Sequence, residues 1–268
     1  MSTYSKEHIK YLKEQKRTKR IICFFRLVII IMFLITWEVL SRKGIINTFL
    51  SSSPTKVIKT IIELFQDNVL FNHIGITLYE VIISFLIASI TGFITATILW
   101  HNKIISKIID PYLTVLNALP KVALGPLIII WVGTSTNSIV FMSLLISTFV
   151  TIITIHQGFS RTDKKYIVLL KTFGAKKSQI FKKAILPSSI PTIISALKIN
   201  ISMSLIGVTM GELLVSKRGL GYLIMYGSQV FNINLVITGV VILGVISYIM
   251  YVMIDIIENK VKKKMGIS

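Results

Sequence analysis

Long apolar runs broken by short basic, glycine-bearing or proline-bearing stretches set the rhythm of this chain. Six runs lie near residues 21–40, 77–100, 111–132, 137–158, 187–210 and 233–257. Each matches the roughly 20 helical residues that a hydrocarbon core of about 30 Å demands. The pattern predicts an all-α, polytopic membrane protein with about six transmembrane helices. The first run is too long for a signal-peptide core, lacks a small-x-small cleavage pattern, and is closed by Ser41, Arg42 and Lys43, so it is expected to stay as an anchor.

Finer patterns fill the gaps. In SSSPTKVIKTIIELF, Ser53 can cap a helix that starts at Pro54, and Val57, Ile58, Ile61, Ile62 and Phe65 form one apolar stripe. This predicts a short helix along the outer interface, with a packing role. The third run opens at Asp110-Pro111 and contains ALPKVALGPLIIIWVG, where Pro120, Gly125 and Pro126 predict a kinked or broken helix at a protein interface. GTSTNS then reads as a tight outer hairpin.

The longest inner connection, about 159–186, carries KTFGAKKSQIFKKAILP. Tyr166, Ile167, Leu169, Leu170 and Phe173 share a helix face before Gly174, which supplies a left-handed end. Ile180, Phe181, Ala184 and Ile185 form a second face, and Leu186-Pro187 is expected to stop that helix before Pro187 and Pro191 open the fifth span. A basic loop can serve topology alone. These apolar faces have no hydrocarbon to enter, however, so they call for a protein groove.

Composition changes the picture in one respect. The net charge of +19 would point to nucleic acid in a soluble chain, but 53% of the residues are hydrophobic and only 15% charged. The lysines and arginines concentrate in the tail 1–20, at Lys103 and Lys107, in the 159–186 loop and in the end 258–268. Only Arg42, Lys43, Lys56, Lys59, Lys217 and Arg218 fall on the opposite side. This asymmetry predicts both termini in the cytoplasm, with a basic tail at 1–20 (a short amphipathic or disordered arm), a transmembrane domain at 21–257 and a basic end at 258–268. No aromatic-interleaved basic face supports nucleic-acid binding.

Chemistry of an enzyme is hard to assemble. Cys23 is the single cysteine, the four histidines are dispersed without HExxH, and no GxxxxGK[ST] is present, so neither a metal site nor a P-loop of the chain's own is expected. Among ionisable residues inside or near spans, Lys121 and Lys198 are expected to snorkel. Glu212 could gate or bond to the outer loop, and Glu38, Glu80 and Asp255 lie near boundaries without an evident proton-relay pair.

VLLKTFGAKKSQIFKKAILP resembles the inner-loop signature of the permease subunits of bacterial ABC importers, EAAxxxG followed by IxLP, through Thr172, Gly174, Ala175, Leu186 and Pro187. It departs where Val168, Leu169 and Leu170 stand for Glu-Ala-Ala and Ala184 for the usual isoleucine or valine. LPKVALGPLIIIWVG and GELLVSKRGLGYLI resemble PxxALxPLxxxWFG and AEMxxxxxGLGYLI of the nitrate/sulfonate/taurine-type permeases, and SSSPTKVIKTIIELF resembles their PSPxEVxxxLxEL opening. Together these cover most of residues 50–225 in order.

The resemblance implies a type I importer fold, a second permease copy, a cytoplasmic ABC ATPase that binds ATP and Mg, an extracytoplasmic substrate-binding protein and a lipid surround, with no cofactor on this chain. It further implies that the inner loop docks on the ATPase, with Leu170, Lys171, Phe173, Gly174, Ala175, Phe181, Leu186 and Pro187 as the coupling set. Polar and small residues of spans three to five are the candidate path lining: Asn117, Ser143, Ser147, Thr148, Ser195, Asn200, Ser202, Ser204, Thr209 and Glu212. Helix packing uses the same residue types, so both readings of that set stand. An ion-coupled secondary transporter is the main alternative. It would require midplane carboxylate pairs or hydropathy repeats.

Overall fold

The computed structural model describes residues 6–46 and 51–264, all in helices and connecting turns. In chain order the helices are α1 (Lys6–Arg42), α2 (Pro54–Gln66), α3 (Val69–His101), α4 (Lys103–Ala118), α5 (Gly125–Val132), α6 (Thr136–Ser160), α7 (Lys164–Thr172), α8 (Lys177–Ile180), α9 (Leu186–Val215), α10 (Leu220–Gln229) and α11 (Ile233–Lys264). A 3₁₀ turn, Lys121–Leu124, precedes α5, and a π-helical turn, Phe181–Ile185, joins α8 to α9.

Five helices are long and apolar enough to cross a membrane, and the bent pair formed by 103–118 and 121–132 makes a sixth if it is one span. The six expected runs are all present, with different edges. The first continues a helix that already exists at Lys6, so from that residue the basic tail is helical and continuous with the span. The second begins at Val69, eight residues before the apolar run at 77. The third begins at Lys103, because Asn102 accepts hydrogen bonds from the Ile104 and Ile105 amides and caps the helix; Pro111 then lies inside it.

The expected break in the third span falls at Leu119-Pro120, where the axis turns by 84°. The lost backbone bonds are partly replaced by Lys121, whose ammonium donates to the Asn117 carbonyl at 2.7 Å. A cation at that position also suits the negative end of α4. α2 follows the sequence reading closely: Ser53 accepts from the Lys56 amide, Pro54 opens the helix and Val57 is buried.

The packing centre is the pair α6 and α9. Gly207 and Gly211 let the two backbones meet, since a side chain at Gly207 would stand 2.5 Å from the Ser143 Cα and one at Gly211 would stand 2.9 Å from the Ile139 Cα. This is the small-residue spacing by which membrane helices approach closely when no hydrophobic drive acts between them. Around this pair, Val81 of α3, Ile139 of α6, Leu205 and Val208 of α9, Leu220 of α10 and Ile246 of α11 form the main buried cluster. α1 stands apart, with its membrane-length stretch unburied by the rest of the chain.

Candidate functional site: the coupling loop and its two anchors

Loop geometry begins with α7, which Asp163 caps by accepting from the Lys165 amide at 2.9 Å. At its other end Ala175 N–H donates to Leu170 O at 3.0 Å and Gly174 N–H to Lys171 O at 2.9 Å. These are the two bonds of a Schellman motif, and they need the left-handed residue that Gly174 provides at φ +73°. Leu170 and Ala175 complete the motif's apolar contact, both packing on one cluster with Ile155, Phe159 and Ile180.

The predicted coupling set divides into two groups. Phe173 is 78% exposed, and Tyr166 and Leu169 are exposed beside it. They form an uncovered apolar face. Phe181 instead turns inward, its ring 5.0 Å from Trp100 and 5.4 Å from Phe159, so it fastens α8 to the ends of α3 and α6. Ile180 and Ile185 are buried in the same cluster. The chain therefore supplies its own groove for the second face and for Ile167 and Leu170 of the first, and leaves Tyr166, Leu169 and Phe173 uncovered.

Leu186 and Pro187 do not stop the helix, contrary to expectation. Leu186 N–H donates to Phe181 O in the π-helical turn, and the chain runs unbroken from Lys177 to Val215. A widened turn absorbs a proline that has no N–H to give, as π-bulges do. The consequence is a rod of 39 residues, roughly 58 Å at 1.5 Å per residue.

The rod's far end is anchored by a residue that sequence reasoning left open. Glu212 Oε1 accepts from Thr77 Oγ1 at 2.6 Å and Oε2 from the Gly221 amide at 2.6 Å. Leu220 N–H donates to Thr77 Oγ1 at 2.9 Å and Gly219 N–H to His73 Nδ1 at 2.9 Å. Three successive amides at the start of α10 thus receive side-chain acceptors from α3 and α9. This explains the GELLVSKRGLGYLI spacing: the carboxylate caps the helix that the second glycine pair begins, and a side chain at Gly221 would lie 2.7 Å from the Glu212 Cβ. Glu80 lies against the same carboxyl, is buried, and leaves Oε2 without a partner. Sequence distance hid this pairing, since nothing local links Glu80 on α3 to Glu212 on α9.

The other candidates of the path set separate by burial. Ser143, Ser147, Asn200 and Ser204 are fully buried, with Ser143 donating to Ser204 O and Asn200 to Phe85 O and Ser89 Oγ across helices. Asn117 and Ser195 are exposed; Thr148, Ser202 and Thr209 are half-buried. Lys198 is paired. It is bound by Asp255 at 2.5 Å and by Glu258, which also pairs with Lys262 at 2.6 Å, a network joining α9 to α11.

An all-helical fold of membrane-length helices with a glycine-bent loop at the end of a long rod defines the class of a polytopic membrane protein. The comparisons with known proteins agree. The profile of the family "Binding-protein-dependent transport system inner membrane component" matches residues 88–263, and the chain belongs to that family. It is 30% identical over 230 residues to a probable ABC transporter permease protein of Haemophilus influenzae, covering 85% of this chain and 93% of that one. A putative aliphatic sulfonates transport permease protein of Bacillus subtilis is 26% identical, with 85% and 82% covered. Among solved structures, an inward-facing MetNI methionine ABC transporter shares the fold at a TM-score of 0.64 and 16% identity, covering 75% of this chain and 97% of that chain. The fold is therefore that of a type I importer permease, and the chain is a multi-pass membrane protein.

Proposed function

We propose that this chain is the membrane-path subunit of an ATP-driven importer and that α7 with Gly174 is its docking element for a separate ATPase. The observation that carries this is the exposed face of Tyr166, Leu169 and Phe173 on a helix outside every candidate span. Burying such a face in a partner's groove is favourable by about 25 cal/mol per Å² of apolar surface. ATP and its magnesium belong to that partner. Both termini lie in the cytoplasm, on the side of the basic loop, following the charge asymmetry of the connections.

Force arriving at α7 has a defined route. The Phe181 aromatic cluster passes it to the ends of α3 and α6, and the rod of α8 and α9 passes it to the Glu212 anchor at the opposite end. Rigid-body movement of a continuous helix suits a switch between inward-open and outward-open states. The bias comes from the ATPase binding one state better than the other. A second copy of the chain completes the path, and an extracytoplasmic binding protein delivers the solute. Related permeases are described as carrying aliphatic sulfonates, formylaminopyrimidine and taurine. This supports a small solute of that kind, a sulfonate, nitrate, taurine or a vitamin precursor.

Purification of the permease with its ATPase tests the proposal. Phe173→Asp is expected to abolish co-purification while the permease itself stays folded. Undiminished ATPase retention by that variant rules out α7 as the docking element.

A further inference from the structure

A cavity of 430 Å³ lies beside the coupling loop, between the end of α3, the start of α4, the end of α6 and α7. Its size is that of a small-molecule site. Lys103, Lys107, Lys164, Lys171 and Lys177 line it, and no aspartate or glutamate does. Among the described residues none of the five pairs with a carboxylate. Lys177 is engaged by the His101 carbonyl; a carbonyl relieves one proton but leaves the charge uncompensated. Concentrating cations in one concave wall is unfavourable unless an anion joins them.

Two buried polar atoms at this wall also lack partners. Thr162 is 7% exposed, lines the cavity, and its Oγ1 has no hydrogen-bond partner. His156 lines it too: its Nε2 is 3.0 Å from Ser106 Oγ, while its buried Nδ1 has no partner. Buried polar groups are normally satisfied, and each exception asks for an explanation. Here a hydroxyl and an imidazole stand among cations.

Depth names the ligand's chemistry. The lining residues Leu99 and Trp100 end α3, Phe159 and Ser160 end α6, and Lys103 begins α4, so the cavity sits where spans leave the hydrocarbon. Tryptophan is enriched at that level, and basic pockets between membrane helices on the cytoplasmic side suit phosphate headgroups.

From this we infer that the cavity is a binding site for a phosphate-bearing anion, held by Lys103, Lys107 and Lys164 with Thr162 as a hydroxyl donor, at the joint between the coupling loop and the spans. The inference rests on the reading that these span ends face the cytoplasmic leaflet. An anion there neutralises the hinge region of α7 and fixes it against α4.

The test uses the full-length permease in phosphatidylcholine nanodiscs, with and without phosphatidylglycerol, and a third arm with inorganic phosphate. Amine acylation of Lys103 and Lys107 is read by mass spectrometry, and bound lipid by native mass spectrometry. Protection by phosphatidylglycerol identifies a lipid headgroup, and protection by inorganic phosphate identifies a free anion; either supports the site. The Lys103→Gln and Lys107→Gln variants are expected to weaken binding roughly fivefold each, and Thr162→Val to weaken it without changing net charge. Equal acylation in all three arms overturns the inference. So does protection that appears only when the ATPase is added, which would assign the lysines to that protein. Because ATPase co-purification is scored separately, loss of the lipid site leaves the docking proposal standing, and the reverse.

Discussion

At Gly174 the backbone adopts φ +73° with open space around the position where a Cβ would sit, so only conformational strain opposes a substitution there. Left-handed geometry costs an ordinary residue roughly 1–2 kcal/mol. Gly174→Ala is expected to reduce ATPase coupling in proteoliposomes partially, and Gly174→Val, with its β-branch, to remove most of it; transport-linked ATP hydrolysis measures both. Glu212 offers the opposite case, a side chain held by several donors. Glu212→Gln replaces one acceptor oxygen with an amide that cannot accept from Gly221, and an unsatisfied buried donor costs about 1–3 kcal/mol. Glu80→Gln, in contrast, keeps the shape and an N–H that can donate to the Glu212 carboxyl. Thermal unfolding in detergent is expected to fall by several degrees for the first and to hold or rise for the second. The glycine was legible from KTFGA because a helix end demands that residue type. The carboxylate's role was not, since its partners Thr77 and Gly221 come from α3 and α10.

Element by element, the proposed docking loop combines two helices with different surroundings. α7 keeps an apolar face outward, and α8 turns Phe181 into the aromatic cluster with Trp100 and Phe159. Periodicity predicted both faces but not which would find a groove inside the chain, because that depends on where α3 and α6 end. Phe181→Ala is expected to lower the permease's own stability by about 2 kcal/mol. Phe173→Ala is expected to leave its melting temperature unchanged and to weaken ATPase affinity. Measuring both quantities on both variants separates internal anchoring from docking. The proline at 187 shows the limit of local rules: Leu-Pro reads as a stop, yet the π-helical turn at Phe181–Ile185 carries the helix through.

On the scale of the whole molecule, α1 is set against a core organised around α6 and α9. Its contacts to the remainder are sparse: Glu38 accepts from Thr55 Oγ1 at 2.8 Å, and Ser41 donates to the Ser52 carbonyl at 3.1 Å. A variant lacking residues 1–42 is expected to retain the melting transition of the core and its ATPase co-purification; loss of both would show that α1 is integral to the fold. Hydrophobic run length by itself determined the class and the approximate number of spans, because each depends on one segment against a slab of known thickness, and a cap with an amphipathic stripe determined α2. Charge placement by itself determined the expected orientation, for the same local reason. Only the tertiary structure decided that Glu80 meets Glu212, that Lys198 pairs with Asp255, that Ser143 and Asn200 bond across helices, and that Lys177 to Val215 is one unbroken rod. Those contacts join residues far apart along the chain, and their energies exist only once separate helices are brought side by side.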